Sequence, residues 1–164
     1  MREAELALQA YATHTPGFDA CSVRFSGIYG PGRTRMIQDI ASGKAVSAKR
    51  WQQLTNRIHR DDCAAVLLHL VKQATIQPYY VASDTHPATF GEIATWLAAR
   101  LAVPLPAIQK EVAETSPQGA KTSGGLERGG HKACWSTGLL AEGFEFSVPS
   151  FREGYDRLIR TEAL

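Results

Sequence analysis

At 164 residues, against a prior of roughly 150 per domain, the chain has length for about one domain. Hydrophobic residues at 44% and charged residues at 21% exclude a disordered chain, a collagen-like repeat and a low-complexity array. A net charge of +2 is too small for a dedicated nucleic-acid or membrane-surface binder, so no nucleic-acid or membrane partner is expected.

The first element is a helix. Leu6, Leu8, Ala10 and Tyr11 follow Glu3 and Glu5 in a run that Pro16-Gly17 closes, with acid at the favourable end. The apolar set from about Arg2 to Ala12 is spread over more than one stripe, which predicts burial on two sides, one against a sheet and one against a partner. Ala20 to Ser26 alternates, with Cys21, Val23 and Phe25 on one face, and predicts a strand with an edge that needs a neighbour. The strand ends in Gly27 to Gly32, a loop too rich in glycine and proline to continue any element. Met36, Ile37 and Ile40 have helical spacing, stopped by Gly43, which suits a left-handed cap. Trp51 to His59 reads as an irregular strand.

Asp62 is placed to cap a helix whose apolar positions are Cys63, Val66, Leu67, Leu70 and Val71. Tyr79 to Ala82 reads as a short buried strand. Thr89 and Glu92 form a capping box ahead of a helix from about Phe90 to Leu101. The stretch from about 114 to 130, with its serines and paired glycines, is expected to be a mobile loop. A final unit places Ser136 before Leu139-Leu140 and Ser150 with Glu153 as a second capping box before Tyr155, Leu158 and Ile159.

Motifs that would name a chemistry are mostly missing. Gly30-Pro31-Gly32-Arg33-Thr34-Arg35 puts arginine where a dinucleotide turn has its third glycine, and Pro31 removes a donor. No Tyr-x-x-x-Lys pair occurs to lower a tyrosine pKa for proton transfer, and no catalytic residue is assigned. His59, Asp61 and Asp62 could be imagined as a metal cluster, but Asp62 is read as a helix cap and His59 as a strand-end residue, so no metal site is assigned. Cys21, Cys63 and Cys134 are odd in number and widely spaced, which favours a reducing compartment, and with no apolar run near 20 residues the expected location is cytoplasmic.

Four strings taken together resemble one family. They are Arg24 to Arg33 (RFSGIYGPGR), Asn56 to Asp62 (NRIHRDD) before an apolar helix, Tyr79 to Asp84 (YYVASD) before the capped helix, and Lys132 to Tyr155. Their order and spacing resemble the NAD-dependent epimerase/dehydratase family, the extended and atypical short-chain dehydrogenase/reductases, and only its carboxy-terminal half. The resemblance implies an α/β fold: the carboxy-terminal part of a Rossmann-like, doubly wound parallel sheet plus the small substrate-binding subdomain. The chain is then a single partial domain over 1–164, with 1–43 ending the Rossmann-like sheet and 44–164 on the substrate side.

The family's glycine-rich loop and Tyr-x-x-x-Lys pair precede the matched region, so the resemblance implies a half-enzyme, catalytically incomplete as given. Truncation is the favoured explanation, and a fragment that assembles with a separately supplied Rossmann half is the other. NAD or NADP is the cofactor of an intact member and is not expected to bind this chain alone. Residues matching Phe25, Ser26 and Gly27 lie beside the nicotinamide in the family, which makes them the cofactor-binding candidates. Tyr29, Arg33, Arg57 and His59 are the substrate-binding candidates, for a small polar or sugar-like molecule. Two positions depart from nucleotide-sugar members: Gly27 stands where asparagine is common, and Thr55 where an arginine contacts diphosphate. Threonine cannot replace the planar donor fork of a guanidinium, leaving Arg33 and Arg57 as anion contacts. The expected partner is a second copy or a Rossmann half; the alternative reading is a non-enzymatic ligand-binding or interaction module that retains the fold.

Overall fold

The structure, a computed structural model, describes residues 2–109 and 133–162. The elements run α1 (Arg2–His14), β1 (Ser22–Phe25), β2 (Gly27–Tyr29), α2 (Arg35–Ala41), β3 (Val46–Ser47), α3 (Ala48–Gln52), β4 (Leu54–Thr55) and β5 (Arg57–His59). After these come α4 (Arg60–Val71), β6 (Tyr79–Ala82), β7 (Ala88–Thr89), α5 (Phe90–Leu101), β8 (Ile108–Gln109), α6 (Thr137–Ala141) and α7 (Phe151–Glu162). The expected mobile loop at 114–130 lies outside the described residues.

These elements form two compact units interleaved along the chain. Among the described residues the first comprises 2–33, 56–86 and 134–162, and the second 34–55, 87–109 and 133. In the first unit β1 pairs in parallel with β6, Val23 opposite Tyr80 and Phe25 opposite Ala82, and β2 pairs in parallel with β5, Tyr29 opposite His59. The expected alternation in β1 is present: Cys21, Val23 and Phe25 pack against a core of Ile58, Val66, Leu70, Tyr80, Ala82, Leu139 and Phe144. Among the described residues β1 has β6 as its single ladder partner, so its other edge is open.

In the second unit α2 and α3 pack on α5, β3 pairs in parallel with β8, and β4 pairs antiparallel with β7. Ile37, Ile40, Ile93 and Leu97 are buried there. The capping box at the start of α5 is complete: Glu92 N–H donates to Thr89 Oγ1 at 3.1 Å, and Thr89 N–H donates to Glu92 Oε2 at 2.6 Å. Gly43 adopts φ +68°, as the expected left-handed stop requires.

Four expectations change. Gly27–Tyr29, expected as loop, form β2, because the Gly27 N–H bonds the Asn56 carbonyl and the segment pairs in parallel with β5. Trp51 lies on α3 rather than on a strand, because Ser47 Oγ accepts the Arg50 N–H and starts a helical turn there. Asp62 is not the cap of α4: the helix begins two residues earlier, with His59 Nδ1 accepting the Asp61 N–H at 3.3 Å. No residue of α1 is buried, against the expected burial on two sides; Leu6 and Tyr11 are each 60% exposed. One face is tethered through Gln9 Nε2, which donates to the Pro78 carbonyl at 2.9 Å, and through the Glu5–Arg24 ion pair at 2.6 Å.

Candidate functional site

The parallel pairing of β2 with β5 brings together residues 28 to 30 positions apart in sequence. Tyr29 and His59 face each other in register, their rings edge to face at 5.4 Å. Tyr155 from α7 lies against Tyr29, centroids 4.7 Å apart, and its hydroxyl accepts from Arg57 Nε at 3.2 Å. Tyr29, Arg57, His59 and Tyr155 are all buried. The fit depends on Gly154, since a Cβ at that position would overlap the Tyr29 hydroxyl.

Buried polar groups from distant segments complete this end of the first unit. The Asp62 carboxylate, fully buried, accepts from Ser147 N–H at 2.9 Å, Ser147 Oγ at 2.7 Å and Val148 N–H at 3.1 Å. Ser136 Oγ accepts from Ser83 N–H at 2.8 Å and donates to the Ser83 carbonyl at 2.7 Å. Asp84 follows at the end of β6, its N–H donating to the Arg57 carbonyl at 2.6 Å. The Tyr29 hydroxyl and Asp84 Oδ1 are buried without a hydrogen-bond partner among the described residues.

Electrostatics follow from burial. Desolvation pushes the Asp84 carboxyl up to about 7, against the opposing pull of the His86 backbone N–H and Arg57. It also raises the Tyr29 phenol far above its ordinary range and lowers His59, so both are neutral near pH 7. A neutral His59 is what its cap requires, because Nδ1 must keep a lone pair to accept from Asp61.

The residues singled out from sequence divide into three places. Tyr29, Arg57 and His59 meet in the cluster just described. Phe25, Ser26 and Gly27 run along the carboxyl end of β1, where Ser26 N–H donates to the Ala82 carbonyl at 2.9 Å and Gly27 N–H to the Asn56 carbonyl at 3.1 Å. Arg33 is exposed on the turn after β2, its N–H bonded to the Gly30 carbonyl at 2.8 Å. Sequence reasoning missed Asp84, Ser136, Gly154 and Tyr155, and it misassigned Asp62. For Asp84 a signal existed: it stands two residues beyond the end of β6, at the end where open α/β sheets place their functional groups.

An open, mainly apolar groove of about 690 Å³ runs along the first unit, lined by Leu8 of α1, Val23 and Phe25 of β1, and Leu67, Leu70 and Val71 of α4. Phe25 alone of the candidate residues lines it. Among the described residues no group of three or more His, Cys, Asp and Glu could hold a metal ion, and no helix is long and apolar enough to cross a membrane.

No protein-family model and no curated protein matches the chain. Solved structures do. A Methylobacillus flagellatus protein described as an NAD-dependent epimerase/dehydratase aligns over 100% of this chain and 52% of its own, at 28% identity and TM-score 0.69. The dTDP-glucose 4,6-dehydratase of Bacillus anthracis, solved with NAD, covers 96% of this chain and 48% of its own at 15% identity and TM-score 0.72. The UDP-glucose 4-epimerase of Thermotoga maritima, solved with UDP-glucose, covers 99% and 52% at 16% identity and TM-score 0.72. The chain thus has the α/β, Rossmann-like architecture of these proteins and spans about half their length, and the resemblance read from its motifs is borne out.

Proposed function

We propose that these 164 residues are the substrate-side, carboxy-terminal half of an NAD(P)-dependent epimerase/dehydratase-like or reductase-like protein that acts on a small polar or sugar-like molecule in the cytoplasm. The observation that carries this reading is the end-to-end match at 28% identity to a chain about twice as long. In this reading NAD or NADP supplies the hydride acceptor, while Phe25, Ser26 and Gly27 line its nicotinamide end and Tyr29, Arg33, Arg57 and His59 shape the substrate side.

The residues present do not fit a whole dinucleotide. A pyrophosphate needs free backbone donors at a glycine-rich turn. Here the N–H groups of Ser26 and Gly27 are both bonded to carbonyls, and Pro31 has none. The chain is therefore read as catalytically incomplete by itself. The open edge of β1 and the groove beside it are read as the face that a second copy or a Rossmann half would cover.

Calorimetric titration of the 164 residues with NAD and with NADP tests the reading. No micromolar binding is expected from the chain alone, and micromolar binding is expected from a fusion that places a glycine-rich βαβ half ahead of residue 1. Micromolar binding by the chain alone would overturn the incompleteness.

A further inference from the structure

Asp84 stands apart from the other buried polar groups of the first unit. It is 3% exposed, and its Oδ1 has no partner among the described residues. Asp62, equally buried, has three donors on its carboxylate. Asp84 also sits in a turn that stitches three segments together. Its own N–H reaches the Arg57 carbonyl of β5 at 2.6 Å, and the next residue, Thr85, donates N–H and Oγ1 to the Pro149 carbonyl, both at 3.1 Å. His86 Nδ1 lies 3.0 Å from that same carbonyl.

We propose that Asp84 is a proton-operated latch on the 83–86 turn, holding the turn to β5 and to the segment before α7 when it carries a proton and loosening it when it ionises. The reason is the unequal solvation of the two forms. A neutral carboxyl can sit buried with one oxygen unpaired, but a carboxylate there has lost water without gaining a donor on Oδ1. The groups acting on it are Arg57 from β5, Asp62 from α4, Tyr29 from β2 and His86 of its own turn. The His86 backbone N–H, bonded to the carboxylate, and then Arg57, whose Nε is directed to the Tyr155 hydroxyl of α7, favour the charge; Asp62 opposes it, and Tyr29 is a neutral phenol. Burial outweighs the attraction, in keeping with a carboxyl pushed up to about 7. The inference stands independently of the cofactor reading.

Because the folded form holds the proton more tightly than the unfolded chain, whose aspartate titrates near 4, stability should fall as pH rises and level off above about 7. Urea unfolding of the full chain from pH 5 to 8 is the test. The unfolding constant should rise by up to about tenfold per pH unit between pH 5 and 7. The difference between wild type and Asp84→Asn isolates this slope from His59, whose lowered pKa acts in the opposite sense. Equal slopes in the two proteins would overturn the proposal. Should Asp84→Asn fail to fold, carbon-13 NMR of the Asp84 carboxyl in the wild-type protein decides. A midpoint near 7, with Thr85 amide protection falling over the same window, upholds the latch; a midpoint near the ordinary aspartate value, or unchanged protection, overturns it.

Discussion

Two regions of the first unit use β1 and its neighbours in opposite ways. At the carboxyl end of the strands, residues from five segments close on one another: Tyr29, Arg57 to Asp62, Ser83 to His86, Ser136 and Ser147 to Tyr155. Polar groups there are buried and, the Tyr29 hydroxyl and Asp84 Oδ1 excepted, joined by bonds between residues as much as 98 positions apart in sequence. In the groove lined by Leu8, Val23 and Phe25, apolar residues of α4 have little cover: Val71 is 83% exposed and Leu67 48%. The first region supplies partners for all but two of its buried polar groups, the Tyr29 hydroxyl and Asp84 Oδ1, whereas the second leaves apolar side chains in water. Contiguous apolar exposure of this kind is what the proposed covering by a second copy or a Rossmann half would remove.

The comparison breaks if the closed region proves tolerant, and Asp62→Ala should have the largest effect. It leaves two backbone N–H groups of Ser147 and Val148 without their acceptor, at a cost of about 3 kcal/mol in chemical denaturation. A loss under about 1 kcal/mol would show that the 147–148 segment is held by other means. Gly154→Ala comes next. A methyl there meets the buried Tyr29 hydroxyl, and displacing that ring should cost about 2 kcal/mol and shift the near-UV signal of Tyr29 and Tyr155.

On the open side the effects should pass from folding to association. The groove and free edge predict concentration-dependent self-association, measurable by light scattering from micromolar to millimolar protein. Val71→Glu should weaken it while changing stability by less than about 0.5 kcal/mol, because that side chain is already in water. Leu8→Glu should weaken association too but also cost the monomer about 1 kcal/mol, since Leu8 is half-buried in the groove. A monomer throughout, with both variants unchanged, would show that this face has no partner of its own kind.

How much of this was legible beforehand depends on the range of the interactions. Thr89 with Glu92, Gly43 and the alternation of Cys21, Val23 and Phe25 are local signals, readable because each acts within a turn or one strand. The meeting of Tyr29, Arg57 and His59 was foreshadowed only by a resemblance of strings. Asp62 was misread because a carboxylate before an apolar run is the ordinary mark of a cap, and nothing nearby in sequence announces that its donors lie at Ser147 and Val148. For α1, the spread of apolar residues matched burial on two sides, yet one face lies open in the chain as it stands.

The α/β class came with the resemblance of four strings; the residues by themselves determined the main helices and strands and the lack of a glycine-rich phosphate turn among them. Those follow from periodicity, caps and residue identity, which act over a few positions. Tertiary structure alone decided that Asp62 would be a satisfied buried acid and Asp84 a buried acid with an orphaned oxygen. The donors that Asp62 meets come from Ser147 and Val148, some 85 residues away, while among the described residues no distant segment supplies one to Asp84 Oδ1, and burial of that unmatched oxygen raises the Asp84 carboxyl to about 7.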